Sequence, residues 1–357
     1  MLLALPWRRD SRTTTPSTQA LAHVAADGSN GDSAILMDLL NCEDESSPDY
    51  IRRLIQPGDK LILDRGFRSA VEALDDLGVE VHMPAFMPDG DRQLSTELAN
   101  ATRQTTKLRF AVECVNGRVK KWKLLPYQST SAEISHCRDN LRIVAALCNA
   151  YKPPLASSRS DDDELAARME ASAARPNSFH TRCRQGGDLH AAQRSKYMPM
   201  DACDIDFPKL TEAQITSAVT YGVYQPEQAR SYAFEHPSEN GNYNIHHSKL
   251  EGVNVVYTRM QSRHTNSTKY GVYVQYGTQA DNLDNPSHTD LGVLDWFCTC
   301  MTGARTIGSC AHVACVVWWL GYGRHQPPIV KRDKFLACRD ARSPERPRRM
   351  SPGREPM

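Results

Sequence analysis

Apolar and polar positions follow two different repeats in the first half of the chain. DKLILDRGF contains three consecutive apolar residues, the segment FRSAVEALDDLG has helical spacing, and VEVHMPAF is again apolar. A short apolar run is typical of a buried strand, and Gly78 is a helix-ending residue. This order predicts a strand–helix–strand unit, and so an α/β domain with parallel strands. One or two helices are expected to follow, from DRQLSTELAN to KKWKLL.

The second half combines helix-start signals with period-two alternation. Thr211 precedes Gln214 with the spacing of a capping box, and Pro226 stands where a second helix would begin. The segment from YNIHHSKL to YVQYG alternates between apolar and polar residues on both sides of the turn cluster HTNSTK. This pattern predicts a β-hairpin, and the elements together predict a small α+β module over residues 205–330.

Three segments lack such a pattern. Residues 1 to about 20 have no periodicity, residues 331–357 are basic and proline-rich, and acidic, small and polar side chains dominate residues 156–204. Such compositions favour disorder, because they bury too little apolar surface. We therefore expect a disordered linker over 156–204, with one short helix around Asp162–Ala174, and a basic disordered tail over 331–357.

Composition limits the classes of protein that fit. The 357 residues carry 43 basic and 42 acidic side chains, a net charge of +1, and 11 cysteines. An odd number of scattered cysteines argues against a secreted disulfide framework and favours a reducing compartment. No apolar run approaches the roughly 18 residues of a membrane span, so no membrane partner is expected. The balanced charge neither supports nor excludes a nucleic-acid partner.

The stretch from Trp296 to Gly323 holds the clearest chemistry. Cys298 and Cys300 lie two residues apart, and Cys310 and His312 repeat that spacing after a glycine-containing spacer. Three thiols and one imidazole are a usual ligand set of a closed, tetrahedral, structural zinc site. Four such residues in so short a stretch argue against the alternative, a group of unrelated buried cysteines. The sequence therefore predicts Zn²⁺ at these four residues.

This zinc stretch resembles the SWIM-type zinc finger. A C-x-C pair, a spacer and a C-x-H pair precede apolar residues at helical spacing, and all four ligand positions match. The segments DFPKLT, QARSYA, QSRH and WFCTC to GYGRH also resemble the C-terminal SWIM module of some Harbinger-type transposase-like proteins. The resemblance implies that the four residues bind the metal, with the finger at about 294–325. Cys315, in the helix that follows, is expected to pack in the core.

The first half resembles the DDE superfamily of Harbinger-like transposases and nucleases. The matching segments are LILDRGF, VHMPAF to KKWKLL, and HCRDNLRIVAALCNAYKPPL, so the resemblance covers about residues 21–155. It implies an RNase H-like fold in which three carboxylates hold two divalent metal ions, Mg²⁺ or Mn²⁺, for phosphodiester cleavage. On the family motif, Asp64 matches the second carboxylate and Glu113 the third.

The first carboxylate of that family has no clear match. Asp10 lies in a polar, arginine-rich start, and Asp27 and Asp32 fall in a glycine-rich turn and at the helix start after it. Two carboxylates without a third should bind a catalytic metal weakly, so we expect a partial RNase H-like domain without nuclease activity. Two alternatives stay open: a metal-dependent endonuclease that obtains its first aspartate elsewhere, and a fragment of a longer transposase-like protein.

These patterns together predict a binding protein. Its SWIM-type module would bind DNA or a protein partner, and the family resemblance implies the nucleus as its location. Removal of zinc would unfold residues 205–330 and leave 21–155 folded. Basic and aromatic residues on the hairpin could contact nucleic acid, although they could equally form a solvated face of the sheet. These residues are Arg259, Arg263, His264 and Lys269, with Tyr257 and Tyr270 between them.

Overall fold

The computed structural model of the protein describes most of the chain between residues 31 and 326. Asp10, Asp27, Arg263, His264 and the tail 331–357 lie outside the described residues. In the described part of the chain, no helix is both long and apolar enough to cross a membrane. The described ranges are 31–47, 50–125, 131–152, 162–191, 196–201, 204–222, 224–235, 244–262, 265, 267–277 and 292–326.

The first unit contains the predicted strand–helix–strand arrangement. β1 (Lys60–Ile62) and β2 (Glu80–His82) run parallel, with Leu61 opposite Val81. Leu36, Leu63 and Leu74 belong to the buried core between helices and strands. The elements are α1 (Asp32–Leu40), a 3-10 helix (Ile51–Leu54), β1 (Lys60–Ile62), a second 3-10 helix (Arg65–Ala70), α2 (Val71–Asp75) and β2 (Glu80–His82).

Two long helices follow this unit. α3 (Thr96–Lys120) is one helix of 25 residues, and it begins where the Ser95 hydroxyl accepts a hydrogen bond of 3.2 Å from the amide of Leu98. α4 (Ser131–Tyr151) packs beside α3. Hydroxyl groups at this position satisfy an amide that has no partner within the helix. Of the one or two helices predicted from DRQLSTELAN to KKWKLL, the structure has one, α3.

The second unit is a five-stranded antiparallel sheet with helices packed against it. Its strands lie in chain order. β5 (Val255–Gln261) and β6 (Lys269–Tyr276) form the predicted hairpin, and Thr211 and Gln214 form the predicted capping box. The elements are α5 (Asp162–Ala174), α6 (Ser178–Cys183), β3 (Tyr197–Met200), α7 (Glu212–Gln214) continuing as a π-helix (Ile215–Thr220), α8 (Tyr224–Glu235), β4 (Ile245–Ser248), β5 (Val255–Gln261), β6 (Lys269–Tyr276), β7 (Val293–Cys298), α9 (Ala311–Gly321) and a 3-10 helix (Gly323–His325).

Both faces of this sheet are covered. On one face, Val256 and Val274 belong to a core that also contains residues of α8 and α9. On the other face, Val255 and Tyr273 pack with residues of α6. Neighbouring residues of a strand point to opposite faces, so a strand covered on both sides must be apolar at successive positions. This explains why Val255 and Val256 are both buried.

The structure corrects the expectation of a disordered linker over residues 156–204. Within it, 162–191 and 196–201 form α5, α6 and β3, and β3 pairs with β4 at the edge of the sheet. Phe179 and Tyr197 are buried in the core on the α6 side. The apolar residues that fold this segment are few and lie among many polar ones, so the average composition conceals them. The second unit therefore begins well before its predicted start.

Candidate metal centre and carboxylate pair

The four predicted metal ligands meet between β7 and α9. Cys298 ends β7, Cys300 lies in the bend after it, Cys310 is the N-cap of α9, and His312 lies in the first turn. Their sulfur and imidazole nitrogen atoms all lie within 4.8 Å of one another. The cysteines are buried and the histidine is partly buried. This group, called the Cys/His cluster below, could hold a metal ion.

The distances in the Cys/His cluster suit a tetrahedral site. His312 Nδ1 lies 3.8 Å from Cys298 Sγ and 3.9 Å from Cys310 Sγ. Zinc bonds of about 2.3 Å to sulfur and about 2.0 Å to nitrogen place ligand atoms roughly 3.5–3.8 Å apart in a tetrahedron. A slight contraction of the cluster would therefore give metal-binding distances. Cys315 lies outside the cluster, in the core that α9 forms with the sheet.

Two glycines let the spacer turn back between the ligand pairs. A Cβ atom on Gly303 would lie 2.0 Å from the carbonyl oxygen of Cys298, and one on Gly308 would lie 2.6 Å from that of Thr220. Gly308 also has a φ of 64°, in the left-handed region that favours glycine. The sequence indicates a turn here, and the structure shows that a larger residue would clash with the backbone at both positions.

Backbone amides and neighbouring ligands act on the sulfur atoms. The amide of Cys300 donates to Cys298 Sγ at 3.4 Å, and that of Val313 donates to Cys310 Sγ at 3.5 Å. Burial raises the pKa of the Cys298 thiol. Burial also acts on Cys310, but hydrogen bonds from Cys298, Cys300 and His312 hold the pKa of its thiol well below the ordinary value. The start of a helix favours a thiolate, which is the form that binds metals.

The ring of His312 is oriented by aromatic residues. Tyr232 Oη lies 3.2 Å from His312 Nε2, and the Tyr270 ring centroid lies 5.0 Å from that of the imidazole. If Nδ1 held a metal, Nε2 would carry the proton and its N–H would donate a hydrogen bond to Tyr232 Oη, an arrangement that fixes the tautomer of a ligating histidine. Tyr232 lies on α8, 80 residues before His312. No local sequence pattern connects the two residues.

Polar side chains at and just before the start of α3 hold the loop that carries the cluster. Gln93 Nε2 donates to the carbonyl oxygens of Cys298 at 2.7 Å and Cys300 at 2.8 Å. Thr96 Oγ1 donates to the carbonyl oxygen of Ala304 at 3.1 Å. These bonds join the start of α3 to the segment between the two ligand pairs. Sequence alone does not indicate this contact.

Asn100 makes the most buried of these contacts. Its Oδ1 accepts from the amides of Thr306 at 2.9 Å and Ile307 at 3.1 Å, and its Nδ2 donates to Thr306 Oγ1 at 2.8 Å. The side chain is 5% exposed. In the sequence, Gln93, Thr96 and Asn100 have a helical spacing, which indicates that their side chains lie on one face of a helix. A polar helical face usually points to solvent, so this signal does not distinguish a buried contact.

Two buried guanidinium groups, those of Arg103 and Arg305, act on each other electrostatically, and Arg305 lies in the spacer between the ligand pairs. Arg103 Nη2 donates to the carbonyl oxygen of Thr220 at 2.9 Å and to Gln225 Oε1 at 3.2 Å. Arg305, in the spacer, is 7% exposed. Burial lowers the pKa of Arg103 to about 9, and the charge of Arg305 acts in the same direction. Among the described residues, neither arginine forms an ion pair with a carboxylate.

Asp64 and Glu113 are brought together by one arginine. Asp64 lies just beyond β1 and Glu113 lies on α3. Arg109 Nη1 is 3.0 Å from Asp64 Oδ2, and its Nη2 is 2.8 Å from Glu113 Oε1, with the two acidic side chains 53% and 50% exposed. Within the described residues, no third acidic side chain completes a metal-binding group with them. The cation between the two predicted catalytic carboxylates is thus a guanidinium.

The predicted basic and aromatic patch is divided by the sheet. Arg259 and Lys269 are exposed and lie on the same face. Tyr257 is on that face too, but it packs against Tyr273 with ring centroids 4.8 Å apart. Tyr270 points to the opposite face, towards the Cys/His cluster. The two tyrosines therefore do not form one stacking surface, and Arg259 and Lys269 remain as an exposed basic pair.

Comparison with known proteins identifies one part of the chain. Residues 14–149 match the family described as DDE superfamily endonuclease. This part of the chain is similar to that family, and the mixed α/β structure of the first unit is consistent with the similarity. No curated protein and no solved structure matches the chain.

Proposed function

We propose that this is a transposase-derived binding protein in which Zn²⁺ holds a SWIM-type module together. The observation that carries the proposal is the Cys/His cluster at the junction of a strand end and a helix start. Three sulfurs and one imidazole suit zinc, whereas Mg²⁺ and Ca²⁺ prefer oxygen ligands. The protein supplies all four positions of a tetrahedron, so the zinc would be structural and would cross-link β7 to α9.

DNA, bound in the nucleus, is the partner we propose, and a protein partner is the alternative. The match of residues 14–149 to an endonuclease family supports a nucleic-acid partner. The exposed pair Arg259 and Lys269 offers positive charge on one face of the sheet. Basic side chains gain affinity for DNA by releasing counterions from the phosphates.

Zinc content and DNA binding test this proposal together. The full-length chain should contain one zinc ion, by elemental analysis, and bind labelled DNA more weakly as salt rises. Substituting both Arg259→Ala and Lys269→Ala should lower the slope of log affinity against log salt by about two. Lys249→Ala, at the far end of the sheet, is the matched control and should leave the slope unchanged. Zinc without DNA binding would favour a protein partner, and absence of zinc would contradict the proposal.

The endonuclease-like domain is proposed not to cleave DNA. Arg109 already pairs with both Asp64 and Glu113, so a divalent ion must displace a guanidinium before it binds between them. We expect supercoiled plasmid to remain intact after incubation with the full-length chain and Mg²⁺ or Mn²⁺. Cleavage that disappears in both Asp64→Ala and Glu113→Ala would refute this expectation.

The second candidate function is a metal-dependent endonuclease that uses Asp64 and Glu113. One observation favours it, because a single guanidinium spans both carboxylates and they are therefore close enough to share a cation. Arg109→Ala separates the two candidates. If the domain is an enzyme that Arg109 inhibits, this change should increase Mg²⁺-dependent cleavage. If the domain is inactive, the variant should not cleave DNA.

A further inference from the structure

Arg305 lies between the two ligand pairs, and the backbone is held on both sides of it. The carbonyl oxygen of Ala304 accepts a hydrogen bond from Thr96 Oγ1 at 3.1 Å. The amide of Thr306 donates to Asn100 Oδ1 at 2.9 Å. With both neighbouring residues held by α3, the backbone of Arg305 is fixed in the spacer between the two ligand pairs. Its position is thus set by the fold and not by the ligands alone.

The guanidinium of Arg305 is buried without an acidic partner among the described residues. Its side chain is 7% exposed, and its Nε has no hydrogen-bond partner there. The sulfurs of Cys298, Cys300 and Cys310 act electrostatically on it. Arg103, buried nearby, adds a second positive charge that repels it. An unpaired buried charge is costly, so a negative charge is needed to offset it.

A zinc ion bound by three thiolates would supply that charge. The ion carries two positive charges, the thiolates three negative ones and the imidazole none, which leaves one net negative charge. We propose that Arg305 is the counter-cation of this centre, and that it raises zinc affinity by neutralising the zinc–thiolate group. This inference rests on the zinc proposal above, and it assigns a positioning and electrostatic role to a residue that ligates nothing.

Arg305→Met tests the inference, because methionine keeps a long side chain and removes the charge. In the full-length chain, zinc affinity measured by competition with a chelator should fall about 10- to 100-fold. The metal-free form should lose less stability to denaturant than the zinc-bound form, because all three thiolates are present only when zinc is bound. An arginine that acts only by packing would instead weaken the metal-free and zinc-bound forms alike. Absorption of the cobalt-substituted protein should show unchanged thiolate ligation.

Two further variants complete the test. Arg305→Lys retains the charge and should recover most of the lost affinity. Arg182→Met removes a surface arginine that pairs with Asp188, and it should leave zinc affinity unchanged. If the Arg305→Met variant does not fold even with zinc, the Arg305→Gln variant is used as the uncharged variant and is compared with Arg305→Lys.

The outcomes separate the two proposals. Equal zinc affinity in wild type and Arg305→Met, or equal losses with lysine and methionine, would overturn the counter-cation role alone. A wild-type chain that binds no zinc would overturn the zinc proposal itself.

Discussion

Replacing Cys310 with serine is expected to abolish the cooperative unfolding transition of the second unit. Cys310 belongs to the Cys/His cluster and is also the N-cap of α9. Serine can still cap the helix, so the change removes the metal ligand and leaves the helix start intact. Structural zinc contributes about 10–16 kcal/mol in small zinc domains, which is comparable to the roughly 5–15 kcal/mol stability of a whole domain. Thermal unfolding followed by circular dichroism, with zinc present, measures the loss.

A cysteine in the same helix provides the matched control. Cys315 is fully buried on α9 but lies outside the cluster. Cys315→Ala should retain zinc and a single transition, with a loss of about 1 kcal/mol in the free energy of unfolding. Chelation of the wild type should reproduce the effect of Cys310→Ser. If chelated and zinc-loaded wild type unfold at the same temperature, the metal has no structural role.

The effect of metal loss should extend beyond the second unit. The sequence alone predicts that residues 21–155 stay folded without zinc. Gln93 and Asn100, however, bond to the loop that carries the cluster. We therefore expect faster amide hydrogen exchange at the start of α3 after chelation, while β1 and β2 keep their protection. This gradient follows from where the contacts lie.

Elements specified by residues close in sequence can be predicted from it. The parallel pair β1 and β2, the hairpin of β5 and β6, and the capping box at Thr211 all depend on periodicity or spacing within short segments. The convergence of the Cys/His cluster is equally local, because a strand end, a glycine turn and a helix start suffice to form it. Such local interactions can be predicted from the sequence because each depends only on the residues of its own segment.

Contacts between distant segments cannot be predicted in this way. The polar side chains of Gln93, Thr96 and Asn100 have the spacing of a solvated helix face, and only the folded chain shows the loop that covers them. Phe179 and Tyr197 lie among polar residues in the sequence. Their segments are ordered because these two side chains pack against an apolar face of the sheet. In each case the stabilising free energy comes from contact with a surface whose residues are distant in sequence.

Asn100→Ala is expected to lower the free energy of unfolding by about 2–6 kcal/mol. The change leaves the amides of Thr306 and Ile307 buried without their acceptor, and each unsatisfied group costs about 1–3 kcal/mol. It also removes the bond to Thr306 Oγ1. Denaturant unfolding of the zinc-loaded chain measures the loss. Zinc affinity should fall as well, because the spacer between the ligand pairs is then less well held.

Two controls locate the origin of that loss. Gln104→Ala changes an exposed residue of the same helix and should alter stability by less than about 0.5 kcal/mol. Thr306→Val removes one of the three bonds to Asn100 and should cost about 1 kcal/mol. A loss in Asn100→Ala no larger than in Gln104→Ala would show that α3 does not stabilise the spacer. Asn100 would then not couple α3 to the spacer, and loss of zinc would leave the start of α3 protected.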